Sequence, residues 1–317
     1  MKLFYSPEYL LPGSAVETVE KAGWIAASLI AAPIADIALL TPAPLEPALL
    51  HRAHGEVYVE AVRTGVPRAL ATSSMLPWSE RLYTAVMAST AGVVAAMRAA
   101  RDEGTAGSLS SGLHHARRTS GAGLCTFNGL ALAALLALDE GARSVLILDL
   151  DAHCGGGTWS IIAHEPRVFH ADVSVNDYDR YAPDDHGVLT LVADDSRYLD
   201  HVRDTLRALD AMAFDLCLYN AGVDVCTGHP HDLITADVVA ARERMVFDWC
   251  RARGLPVAFV LAGGYVGASI DREALVALHR ATIEAATTTR SRAPEESPRG
   301  PAPSHETAAT ARRPRAT

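Results

Sequence analysis

The stretch SVLILDLDAHCGG, residues 144–156, begins as an apolar run and ends with Asp149, Asp151 and His153 at every second position. Along an extended chain that alternation turns the three side chains to one face. Unpaired charge at the end of a buried strand costs several kcal/mol, so something there must compensate it. Two carboxylates and an imidazole are also what a metal ion takes. A catalytic Zn2+ commonly has three N/O protein ligands and one open position. Asp151 and His153 supply two such ligands, and Asp224 in YNAGVDV could complete the set. A bound cation would neutralise the carboxylates. Asp149, one step deeper, could orient a histidine or hold a second, structural cation through oxygen ligands. His114 and His115 in SSGLHHA, and Tyr265 in LAGGY, add groups that move protons and donate hydrogen bonds.

Each feature alone has a plainer reading. A lone Asp at a strand end is usually a turn or capping residue. A lone His is usually a satisfied core or surface residue, and the other ten of the 13 histidines, His54 and His170 among them, are read that way. Four polar insertions at strand ends, with DxDxH at their centre, seldom arise from packing.

The elements that must position these residues alternate along the chain. Apolar runs at 34–40, 145–148, 167–175, 214–222 and 256–264 read as strands. Helical periodicity covers 77–104, 125–143, 197–212, 236–254 and 269–286. Apolar, non-alternating strands separated by helices predict a three-layer α/β/α fold with a mainly parallel central sheet. Ligands of such sheets bind beyond the C-terminal strand ends, where the polar insertions lie. Residues 1–288 read as one catalytic domain. Residues 289–317, rich in Pro, Ala and Arg, have too few large apolar residues to order themselves and are expected to be a disordered tail.

Charge and composition narrow the classes. A formal net charge of −9 argues against a nucleic-acid surface. No apolar run approaches a membrane span, and the N-terminus lacks a secretory h-region, so no membrane partner is expected. Five scattered cysteines suit a reduced, cytoplasmic protein better than a disulfide framework. The oligomeric state is not legible.

GLHHA, GLCTFNGLALA, VLILDLDAHCGGGT, YNAGVDV and LAGGY together resemble the zinc-dependent histone deacetylase-like amidohydrolases of the arginase/deacetylase fold. The likeness runs through roughly residues 1–288. DLDAH and DVSVNDYDRYAPD look most like the class IV branch and its bacterial relatives. The resemblance implies one catalytic Zn2+ on Asp151, His153 and Asp224, with His114 and His115 beside the metal-activated water. It implies Tyr265 as donor to the substrate oxyanion and Asp149 as partner of His114. Asp149 and Ser174, with backbone carbonyls, would hold a structural K+. Gly123, Leu124, Gly263 and Gly264 would line the substrate tunnel. The reaction implied is hydrolysis of an N-acyl amide, acetyl or longer, on a lysine-like or polyamine-like amine.

Departures from the pattern carry expectations of their own. Gly156 stands where a carboxylate or amide usually braces the second histidine, so His115 is expected to lack its orienting partner. Cys154 replaces a common His. Leu124 replaces a common aromatic, which predicts a wider or more aliphatic tunnel. One alternative is a two-Mn2+ ureohydrolase, against which Gly155 and Cys226 stand where further bridging carboxylates are needed. Another is a deacetylase-fold binding protein with weak or no catalysis, supported by Gly156 alone.

Overall fold

The apolar runs pair side by side and all in one direction. The computed structural model describes residues 1–288 except 13, 15–16, 227–232 and 268–269. Its strands are β1 Lys2–Phe4, β2 Ala38–Leu40, β3 Thr105–Ser108, β4 Val145–Asp149, β5 Val168–Ser174, β6 Gly187–Leu191, β7 Leu216–Gly222 and β8 Val257–Ala262. They form one sheet in the order β2-β1-β3-β8-β7-β4-β5-β6. Every pairing is parallel. The helices are α1 Lys21–Ala31, α2 Glu56–Thr64, α3 Arg68–Ala71, α4 Glu80–Glu103, α5 Gly129–Asp139, α6 Gly156–Ile162, α7 Tyr198–Ala208, α8 Ala236–Ala252 and α9 Arg272–Thr287. The expected tail, 289–317, lies outside the described residues.

The central strands lack alternation because both their faces are covered. In β4, Leu146 and Leu148 enter a core with residues of α1, α7, α8 and α9. Val145 and Ile147 enter a second core with residues of α2, α4 and α5. The three-layer architecture is therefore as expected, with a wholly parallel sheet. The run at 34–40 differs: only Ala38–Leu40 pairs, as an edge strand whose outer residues are exposed. The helix read from residue 125 begins at Gly129, because the Asn128 side chain caps it by accepting from Ala131 N at 2.9 Å. Against the expectation that no apolar run reaches a membrane span, α4 is by length and composition apolar enough to cross one, but 67% of its apolar window is buried against the rest of the fold.

Asn128 and His54 tie the loop of the tandem histidines to this frame. Asn128 Nδ2 donates to His114 O, Ala116 O and Thr158 Oγ1 at 3.0–3.2 Å. His54 is buried between Arg117 O, 2.9 Å from its Nδ1, and Asn128 N, 2.9 Å from its Nε2. The amide can only donate, so Nε2 accepts and Nδ1 carries the proton. Burial holds His54 neutral and lowers its pKa from 6.5 to about 4, against the bond to Arg117 O. Above pH 6.5 neither folded nor unfolded chain binds this proton; between 6.5 and 4 only the unfolded chain does. Stability should therefore fall through that window by on the order of 3 kcal/mol from this group. Urea unfolding at stepped pH should show the fall, and His54→Gln should flatten it while lowering stability at neutral pH.

Candidate active site

β4 and β7 are hydrogen-bonded neighbours, and their C-terminal ends deliver the acidic residues to one place. Asp151 and His153 follow β4; Asp224 follows β7. His153 Nδ1 lies 3.2 Å from Asp151 Oδ1 and 3.3 Å from Asp224 Oδ2. The second Asp224 oxygen is fixed by Ala152 N at 3.1 Å. Asp224 Oδ2 is buried and accepts no hydrogen bond. Without a metal, a proton on His153 is the charge that faces both carboxylates at once, with His114 Nε2 3.5 Å from Asp151 Oδ1. Burial opposes that proton, but Asp151 and Asp224 outweigh it and raise the His153 pKa to about 10. The Asp151 carboxyl is pulled down to about 2 by His114 and His153, against its burial. One donor atom from each of the three residues lies within 4.8 Å of the others. A divalent ion fits this set: it would replace the proton, occupy the orphaned oxygen and meet the N/O donors it prefers.

The tandem histidines stand beside that set in different charge states. His114 Nδ1 contacts Asp149 Oδ2 at 2.8 Å, and its Nε2 meets His115 Nε2 at 3.1 Å. One proton lies between two ring nitrogens at that distance. Burial disfavours it on His114, yet Asp149 and then Asp151 raise His114 well above the ordinary value. Burial and the neighbouring His114 charge lower His115. The pair thus resolves into a cationic His114 and a neutral His115.

His115 does not lack a partner. Its Nδ1 lies 3.0 Å from Asp179 Oδ2, on the connection between β5 and β6. The same oxygen accepts from Gly157 N at 2.9 Å, and Arg117 pairs with the other oxygen. The expected loss of an orienting carboxylate is therefore overturned. Gly156 leaves the room: a Cβ there would stand 2.1 Å from Asp179 O and 2.7 Å from its Oδ1. Asp179 has a left-handed backbone, φ 60°, which aspartate tolerates better than most residues. The sequence signal was DYD in DVSVNDYDRYAPD, a motif noted without a role for its last carboxylate.

Tyr265, Gly123, Leu124 and Gly263 line one pocket with His114, His115, Asp151 and His153. Gly264 instead turns inward; a Cβ there would meet Leu275 and Val223. Tyr265 is 37% exposed, but desolvation of its phenol, with Asp224 and Asp151 nearby, raises its pKa and keeps it a donor at neutral pH. Two residues of the site were not foreseen. Tyr178, half-exposed, meets the rings of His115 and His153 edge-on at 5.0 and 5.9 Å. Lys21, at the start of α1, is buried, donates to Gly263 O at 2.5 Å and lines the same pocket. Burial lowers it to about 8, although Asp224 and Asp151 favour its charge. Ser174 turns its hydroxyl to Asp172, which faces Asp149 in register across β4 and β5. Burial and Asp149 push the Asp172 carboxyl up to about 7.

Comparison with known proteins gives one family. Residues 15–281 match the family described as histone deacetylase domain. An uncharacterized protein of Picosynechococcus is 34% identical over 235 residues, 69% of this chain and 75% of that protein. Histone deacetylase 2 of Arabidopsis thaliana is 29% identical over 189 residues, 56% of this chain and 49% of that protein. Among solved structures, the acetylpolyamine aminohydrolase of Burkholderia pseudomallei superposes with a TM-score of 0.72 at 21% identity, covering 90% of this chain and 98% of that one. The HDA15 HD domain does so with a TM-score of 0.73 at 21% identity, covering 89% and 88%. These two likenesses concern the fold.

Gly156→Asp, which would restore the missing carboxylate if residue 156 faced an unbraced His115, is expected to do harm instead. Its Cβ collides with the Asp179 backbone, and overpacking of this kind costs roughly 1–3 kcal/mol. Thermal melts should show a lower Tm for Gly156→Ala and Gly156→Asp alike. A normal melt for both would mean that Asp179 is not packed on Gly156.

Proposed function

Since this chain belongs to the histone deacetylase family, a family of deacetylase-type hydrolases, we propose that it hydrolyses an N-acyl amide on a lysine-like or polyamine-like amine, with Zn2+ held by Asp151, His153 and Asp224. The observation that carries the reading is the contact between the two Nε2 atoms. It sets a neutral, carboxylate-oriented imidazole, His115, beside a three-donor metal set and a cationic one, His114.

The metal, when bound, polarises the amide carbonyl and acidifies a water molecule. The protein's own groups do the rest. His115 takes the water proton at Nε2 in exchange for its contact with His114 Nε2, while Asp179 on Nδ1 fixes the tautomer that puts the lone pair on Nε2. The water oxygen bonds to the carbonyl carbon, and the same proton then passes to the leaving nitrogen as the C–N bond breaks, giving a carboxylic acid, which ionises, and a free amine. His114 keeps its charge throughout, stabilised by Asp149. The Tyr265 hydroxyl donates to the oxygen that gains charge from the carbonyl. Leu124 gives the pocket an aliphatic wall, which supports acyl groups longer than acetyl. The two metal-type clusters share no residue, so there is no bridged two-metal centre of the ureohydrolase kind among the described residues. The binding-protein alternative rested on an unbraced His115, and Asp179 removes that support. A cytoplasmic setting, expected from the five scattered cysteines, is part of this proposal.

Purified protein should release amine from a panel of acyl-lysine peptides and acylated diamines. Chelation should abolish turnover and Zn2+ restore it; no turnover on any panel member would sink the reading. Tyr265→Phe should lower kcat on the order of 100-fold with little change in KM. Leu124→Phe should shift kcat/KM toward acetyl over longer chains. An unchanged ratio would assign chain length to other residues.

A further inference from the structure

Behind the tandem histidines lies a second buried cluster that this reaction does not use. The resemblance implies an alkali cation there, on Asp149, Ser174 and backbone carbonyls. The side chains present are a different donor set. Asp149 of β4 and Asp172 of β5 are register partners, so two carboxylates face each other in the core. His170 sits two residues before Asp172, on the same face of β5, and is also fully buried. The hydroxyl of Ser174 is taken by Asp172.

His170 is held in the manner of a metal ligand. Its Nδ1 is engaged by the Tyr181 hydroxyl at 3.0 Å, and Tyr181 stacks on its ring at 9°. A partner on the other ring nitrogen fixes the orientation and tautomer of ligating histidines. The remaining nitrogen, Nε2, has no hydrogen-bond partner and points into the acidic pair, 3.8 Å from Asp149 Oδ2. The ground in front of it is kept clear by Gly155, where a Cβ would stand 2.8 Å from Asp149 Oδ2 and 3.1 Å from His170 Nε2. Asp149, His170 and Asp172 each place a donor atom within 4.8 Å of the other two.

We propose that Asp149, His170 and Asp172 form a second metal site, specific for a divalent transition ion rather than an alkali cation. Imidazole nitrogen suits zinc, iron, copper and nickel, whereas alkali and alkaline-earth ions take oxygen. Two facing carboxylates supply the negative charge that such an ion neutralises. The site shares no ligand with Asp151, His153 and Asp224, and it does not rest on the hydrolase reading. It lies one side chain behind the reacting groups, because Asp149 also holds His114.

The test is metal content of the full-length protein after dialysis against metal-free buffer, with folding checked by circular dichroism. Native protein should hold about two equivalents of transition metal per chain, and Asp224→Asn about one. His170→Gln should also hold about one, and the double variant almost none. In Asp224→Asn reconstituted with Co2+, the visible d–d absorption should vanish when His170→Gln is added. If His170→Gln does not fold, anomalous scattering from native crystals at the metal edge should give a peak between Asp149, His170 and Asp172. One equivalent in native protein, lost in Asp224→Asn and untouched by His170→Gln, overturns the proposal. So does an anomalous peak at Asp224 alone, or stabilisation by K+ that is equal in native protein and His170→Gln. Absence of turnover on acyl amines would leave these counts unchanged, so the two readings fail separately.

Discussion

Three carboxylates packed out of water at the C-terminal edge of two neighbouring strands impose the arrangement around them. Asp149, Asp151 and Asp224 are 0%, 3% and 1% exposed. Such charges persist only where positive charge and hydrogen-bond donors reach them. The chain answers with donors at close range: backbone amides of Asp151 and Ala152, the Asn220 amide on Asp149, and imidazoles of His114 and His153. A fully buried Arg242 supports the same loop from behind, donating to Leu150 O at 3.0 Å. The parallel sheet makes the concentration possible, because it brings the ends of β4 and β7 together on one edge. The metal set and the charge split between the tandem histidines both follow from meeting this electrostatic demand.

What could be read from the sequence follows the same physics. β4 and β8 are apolar and covered on both faces, so each shows as a hydrophobic run, and β5 and β7 keep enough apolar residues to read as strands despite His170, Asp172 and Asn220. β3 does not: TAGS is short, and its Gly107 is small because the Phe259 ring lies 2.4 Å from where a Cβ would be. β1, of three residues, also falls below what periodicity can detect, whereas β2 lies within the apolar run read at 34–40. The site was legible wherever its residues sit on strand ends in tight spacing, as Asp149, Asp151 and His153 do. Lys21, His170, Asp172 and Tyr178 arrive from segments whose local pattern gives no hint of one another. His170 and Asp172 are masked further by lying inside an otherwise ordinary buried strand.

Position 156 shows where reasoning by resemblance reaches its limit. An imidazole needs an acceptor on Nδ1, and geometry does not care which residue number supplies it. Glycine at 156 reads as a loss when the motif is taken alone. In space it is the vacancy that admits Asp179. The incoming carboxylate is anchored three ways, by His115, by the Gly157 amide and by the half-exposed guanidinium of Arg117.

Asp179 follows directly on Tyr178, whose ring stands at the rim over His115 and His153. One short loop therefore shapes the entrance and steers the proton-accepting group. Were those duties on separate segments, they could drift independently under selection. Here they are coupled traits. Insertions, deletions or grafts that recast the rim to admit a new molecule would also reset the hand that moves the proton, so evolutionary or engineered change in this loop is expected to proceed by paired replacements rather than single steps.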